Sequence, residues 1–132
     1  MVERALAESE EHKRLIKMML NHFKSKGYTN LKADLEGETP PNQIYGHIPD
    51  LTCNKNNAKG TFIILEAETC DTIFDEHTED QWKTFYRKAR EVGGEFHIVV
   101  PRTCNGESAF DLVEKRLKEL GIRADSIWRP KN

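Results

Sequence analysis

Three acids, Asp50, Glu66 and Glu68, flank one apolar run in the stretch "IPDLTCNKNNAKGTFIILEAET". Side chains alternate along a strand, so Glu66 and Glu68 share a face, roughly 7 Å apart. Asp50 lies on the preceding predicted strand, and a turn at Lys59-Gly60 folds that strand back antiparallel. Pairing brings all three carboxylates to one sheet margin. Three like charges raise one another's pKa, and a carboxylate at the end of a buried strand is costly unless compensated. A divalent cation removes both penalties. Mg²⁺ (or Mn²⁺) favours carboxylate and water oxygens and often uses only two protein carboxylates; the Ala67 carbonyl could add an oxygen. The bland alternative is ordinary surface acids paired with Lys55, Lys59 or Arg102.

The elements that must position these acids can be read from periodicity. Ile16, Met19, Leu20 and Phe23 recur at helical spacing and Gly27 ends the run, which predicts a helix over residues 3–26. Leu31, Ala33 and Leu35 alternate as in a first strand. Gly37, Pro40 and Pro41 set a loop. Residues 44–53 read as a second strand, with Pro49 implying an edge, bulge or bend. The apolar run within residues 61–68 predicts a strand buried on both faces. Thr78 is placed to cap a helix over residues 79–92, stopped by Gly93-Gly94. A strand over residues 96–101, a helix over 108–120 and a short strand at Ile127-Trp128 complete the chain. The order α-β-β-β-α-β-α-β predicts an α/β domain with a mixed central sheet.

The chain has 132 residues, enough for one domain over residues 1–132 with a single core. Twenty basic and 22 acidic residues leave a formal charge of −2, which excludes polyanion binding through gross charge alone. No apolar run approaches membrane-spanning length, and residues 1–11 are too charged for a signal peptide, so a cytoplasmic protein without membrane contact is expected. Cys53, Cys70 and Cys104 lack CxxC spacing. Reduced thiols are the expectation, rather than a disulfide framework or a zinc site.

The acids and their setting resemble the PD-(D/E)XK nuclease superfamily, which includes restriction endonucleases and Holliday-junction resolvases. The resemblance implies an αβββαβ restriction-endonuclease-like core plus a C-terminal helix and short strand. It implies metal-ligand roles for Asp50, the Pro-Asp aspartate, and for Glu66, the Asp/Glu of Asp/Glu-x-Lys. Glu68 stands where the motif has lysine, a Glu-x-Glu variant, and Lys59 or Lys83 could be a migrated lysine. The opening "ESEEHKRLIKMML" is similar to the Glu-Ser-x-x-His-x-x-Leu segment of related families. That likeness implies Glu8 as a further metal ligand, with Glu11 as the spare and His12 on the same helix face. Acids at a helix start also suit the macrodipole, so a solvated first turn is the competing reading. Related nucleases use Gln or Lys near the scissile phosphate, which points to Gln81 and Lys83. Arg87, with Lys88 and Arg90, makes the same helix basic, either as a phosphate-contacting surface or as a solvated face. His47 is expected to be a surface or supporting histidine, and His97 a satisfied sheet residue.

The resemblance thus implies metal-dependent phosphodiester hydrolysis of nucleic acid, DNA in preference to RNA, with Asp50, Glu66, Glu68 and Lys83 as catalytic candidates. Two rivals stay open: a non-catalytic nuclease-like binding or assembly subunit, and a small scaffold with no nucleic-acid role. A homodimer suits two-strand cleavage, with Trp128 or Phe74 at its interface or in the core.

Overall fold

The computed structural model describes residues 2–131, with side chains from residue 10 onward. Helix α1 (Val2–Ser25) is followed by strands β1 (Thr29–Ala33), β2 (Leu51–Asn54) and β3 (Phe62–Ala67), then helix α2 (Glu76–Val92). Strand β4 (Glu95–Val99), the short pair β5 (Thr103–Cys104) and β6 (Glu107–Ser108), helix α3 (Ala109–Leu120) and strand β7 (Ser126–Trp128) complete the order. The main sheet runs β1-β2-β3-β4-β7. Its first three strands are antiparallel, and β3, β4 and β7 are mutually parallel neighbours. The fold is therefore a mixed α/β sheet with three helices, as the element order predicts.

Alternation along β3 decides which helix covers which face. Ile63, Leu65 and Ala67 pack with Leu15, Ile16, Met19 and Phe23 of α1. Ile64 packs on the other face with Trp82, Phe85 and Ala89 of α2 and Val113 and Leu117 of α3. The predicted burial of this strand on both faces holds. Among the described residues, no helix is long and apolar enough to cross a membrane.

Several boundaries differ from the expectation, each for a local reason. Residues 44–53 do not form one strand. Ile44 and His47 pair across a tight turn, with Tyr45 at φ 48° and Gly46 at φ 85°. Pro49 follows, and the ladder begins only at Leu51. Helix α2 starts earlier than Thr78, because the Asp75 carboxylate accepts from the His77 N–H at 3.2 Å. Thr78 is instead buried. An unforeseen hairpin, β5–β6, turns through Asn105-Gly106.

The reading of all cysteines as free thiols is corrected. Cys70 and Cys104 form a disulfide across a sequence separation of 34, with Cα atoms 5.6 Å apart. Each follows the C-terminal end of one of two adjacent parallel strands, β3 and β4, so the sheet itself brings these distant residues together. Cys53 remains free and buried, and burial pushes its thiol up to about 12.

Candidate metal centre

The ladder between β2 and β3 sets the site. Leu51 pairs with Leu65, which places Asp50 opposite Glu66 across the two strands. Glu66 and Glu68 continue the row of Phe62 and Ile64 toward α2, as period-2 geometry requires. The Glu68 N–H donates to Val99 O at 2.9 Å, which extends the β3–β4 pairing past the last formal strand residue. Asp50, Glu66 and Glu68 are all buried.

Asp50 is held on three sides. Its Oδ2 accepts from His12 Nε2 at 3.1 Å and from the Ala67 N–H at 2.8 Å, and its carbonyl accepts from the Asp34 N–H at 2.9 Å. Burial alone would raise its pKa, but hydrogen bonds from Glu66, His12 and Ala67 outweigh it and leave Asp50 below the ordinary carboxylate value. Glu66 behaves oppositely. Burial first, then the Asp50 charge and the hydrogen bond shared with it, raise Glu66 well above its ordinary value. Between the two carboxyls a proton is held more readily by Glu66 than by Asp50. His12 is raised chiefly by its bond to Asp50, so the imidazolium is favoured there.

Glu68 is engaged on both oxygens. Oε1 accepts from Thr72 Oγ1 at 2.7 Å, and Oε2 accepts from Trp82 Nε1 at 2.9 Å. Burial pushes it up to about 7 even so, with Asp50 adding to the rise and both hydrogen bonds opposing it. One atom of the cluster is bare: Glu66 Oε1 is buried with no hydrogen-bond partner. A buried acceptor left unpaired costs on the order of 1–3 kcal/mol.

The donor set fits a hard divalent cation at two facing carboxylates, one of them with an uncommitted oxygen. Among the described residues, no group of three or more His, Cys, Asp or Glu is arranged to hold a metal. The protein would therefore supply Asp50 and Glu66, and water the remaining ligands. Glu8 lies on α1, with its side chain outside the described residues.

The other candidates are more dispersed. Lys83 pairs with Glu79 at 2.9 Å and Arg87 with Glu91 at 3.4 Å, each one turn along α2 and both exposed. Such exposed pairs are weak, so either cation can exchange its partner for a phosphate. Gln81 is half-buried beside Trp82. Glu11 is half-buried on α1 next to His12. His47 packs against Phe85 and lies 3.5 Å from Asp80. Of the cations offered as ordinary partners for the acids, Lys55 pairs with Glu95, and Arg102 donates to Pro130 O. His97 is satisfied as expected, accepting from Trp128 Nε1 at 2.9 Å and bonding Glu95 at 2.9 Å.

Two site residues escape the sequence reading, Trp82 and Thr72. Each had a signal: an indole N–H in an apolar helix stripe needs an acceptor, and Thr69-Cys70-Asp71-Thr72 suits a hydroxyl-closed turn. Comparison with known protein families, curated proteins and solved structures finds no match for the chain.

Proposed function

We propose that this chain is a metal-dependent nuclease of the PD-(D/E)XK kind in its Glu-x-Glu variant, hydrolysing phosphodiester bonds in nucleic acid, DNA in preference to RNA. The observation that carries the reading is the Asp50–Glu66 pair, facing across the β2–β3 ladder with Glu66 Oε1 buried and unpartnered. In this reading the fold is the restriction-endonuclease-like core, with α1, β1–β3, α2 and β4 supplying its αβββαβ order.

Asp50 and Glu66 would hold Mg²⁺ or Mn²⁺, which supplies a water of lowered pKa and charge neutralisation at the phosphate. The chain's own groups set the conditions for that chemistry. The Ala67 N–H and His12 fix the Asp50 carboxylate in orientation, and together with the hydrogen bond from Glu66 they hold its pKa below the ordinary carboxylate value. Glu66 would bind the ion as a carboxylate, so ion binding competes with the proton that burial and Asp50 favour there. Glu68, locked by Thr72 and Trp82, stands beside Glu66 and gains its charge only as pH rises through about 7. Lys83, Arg87 and Gln81 lie along α2 for backbone contact.

Mg²⁺ titration by calorimetry, paired with cleavage of labelled duplex and single-stranded DNA, tests the reading. Wild type should bind the ion and cut, and Asp50→Ala or Glu66→Ala should do neither. Full activity in either variant removes this site. A second reading, a nuclease-like domain that binds without cutting, is favoured by one observation. Glu68 fills the motif-lysine position, and among the described residues the only ionisable base that bonds the cluster is His12. Ion binding without cleavage would select it. A melting temperature unmoved by both Mg²⁺ and DNA would select a scaffold.

A further inference from the structure

The disulfide sits two residues beyond Glu68, and the turn between them is the one that holds Glu68 in place. Thr69 is buried, with an unpartnered hydroxyl. Its N–H donates to Thr72 Oγ1 at 3.0 Å, and the Thr72 N–H donates back to Thr69 O at 3.1 Å. Thr72 Oγ1 then donates to Glu68 Oε1 at 2.7 Å. Cys70 stands inside this turn, and its sulfur is tied to Cys104, which is buried in the core between the sheet and helices α2 and α3. Asp75, which caps α2, is joined to the same turn through its N–H to Thr72 O at 3.1 Å. One covalent bond thus anchors the segment that carries Thr72 and leads into the helix that carries Trp82.

We infer that Cys70–Cys104 is a thiol–disulfide exchange site for a dithiol reductant, and that its redox state sets the placement of Glu68 in the metal centre. The inference rests on the proposed metal-centre reading for its effect on ion binding, but not for the exchange itself. Cys70 is exposed and Cys104 buried, so Cys70 is the accessible sulfur. A thiolate of the dithiol attacks Cys70 Sγ. The S–S bond breaks, Cys104 leaves as thiolate and takes a proton, and a mixed disulfide remains. The second thiol of the reagent attacks its own bound sulfur, closes the reagent's disulfide and releases Cys70 as a thiolate, which is protonated. Two electrons and two protons move from the dithiol to the cysteine pair. Cys53 takes no part, being buried with its thiol pushed up to about 12.

In the reduced chain the turn keeps its own hydrogen bonds and the buried Ile73 that follows it, but loses its covalent tie to Cys104. Thr72 then releases Glu68 Oε1, and the hydrogen bond from Trp82 to Oε2 shifts with it. Glu68 stands outside the two ligands Asp50 and Glu66, and losing an outer-shell group of a metal site costs roughly tenfold to a hundredfold in ion affinity.

The test uses ¹⁵N-labelled full-length chain, reduced with dithiothreitol and reoxidised in the same tube. The chain has two tryptophans, so the indole region holds two resonances. Reduction should shift or broaden the Trp82 indole N–H and leave that of Trp128 in place, and reoxidation should restore it. Mg²⁺ affinity measured on both forms should fall by roughly tenfold or more on reduction. An unmoved Trp82 resonance in a chain shown by thiol labelling to be reduced would overturn the coupling. A disulfide that dithiothreitol leaves intact in the folded chain would overturn the exchange site. Failure of the oxidised chain to bind Mg²⁺ would sink the metal-centre reading, while the indole response still decides the redox coupling. Should reduction unfold the chain, as circular dichroism would show, a local effect at Glu68 is excluded and the inference fails. Cys70→Ser/Cys104→Ser should reproduce the reduced spectrum, and dithiothreitol should not alter it further.

Discussion

Replacing Glu68 by glutamine should stabilise the protein in neutral and alkaline solution and leave it unchanged in mild acid. Glu68 moves from an ordinary 4.5 to about 7 on folding, mainly because burial disfavours its charge. A raised carboxyl pKa means that the folded state binds the proton more tightly than the unfolded state. Stability from this group is therefore complete below about pH 4.5 and falls as pH rises toward 7. At about 1.4 kcal/mol per pH unit the loss sums to about 3 kcal/mol. Glutamine avoids it, since its carbonyl can accept from Trp82 while its amide faces Thr72, whose hydroxyl can turn to Thr69 O. Unfolding entropy of roughly 2.1 cal/mol/K per residue turns 3 kcal/mol into about 11 °C for this chain. Urea unfolding at pH 5, 6, 7 and 8, with chelator present, reads the difference between the two chains directly. Glu66 is raised in both and largely cancels. A Glu68→Gln difference that stays constant within about 0.5 kcal/mol from pH 5 to pH 8 would refute the reasoning.

Three further outcomes are expected. Opening the 34-residue Cys70–Cys104 link by Cys104→Ser should cost about 4 kcal/mol in urea unfolding, most of it through the freed unfolded chain; a cost under about 1 kcal/mol would count against that origin. Gly94→Ala should destabilise by about 2 kcal/mol or more, because a Cβ there would meet the main-chain oxygen of Phe62 at 2.5 Å, and β3 is too deeply packed to give way; an unchanged melting temperature would show that it does. Trp128→Phe should cost about 1–3 kcal/mol by leaving His97 Nδ1 buried without its donor, read through Trp82 fluorescence, and an unaltered midpoint would mean that His97 finds another partner.

Most of the fold was legible where one chain segment carries its own signal. The α1 stripe, the doubly buried β3 and the glycine stops after α2 and α3 are local patterns, and they hold. The turn at Ile44–His47 was not read, since a run of apolar residues ending in Pro-Asp looks like a strand until Tyr45 and Gly46 are seen at positive φ. The β5–β6 hairpin left a fair trace in Asn105-Gly106, a strong two-residue turn signal. At the site, the facing of Asp50 and Glu66 followed from alternation and one turn. The grip of Trp82 and Thr72 on Glu68 did not, because it depends on where α2 settles over the sheet. The disulfide was illegible for the same reason: parallel pairing of β3 with β4 is a tertiary choice that no local spacing encodes.

The two rims of the main sheet have a bearing on self-association. At one rim β1 carries an irregular register between Thr29 and Lys32, and Lys32 is half-buried there. At the other, β7 is three residues long and is followed at once by Arg129 and Pro130, which has no amide hydrogen to offer. Neither border is a good template for another strand. Any self-association of the chain would have to run through helices or loops, leaving each sheet closed to the other.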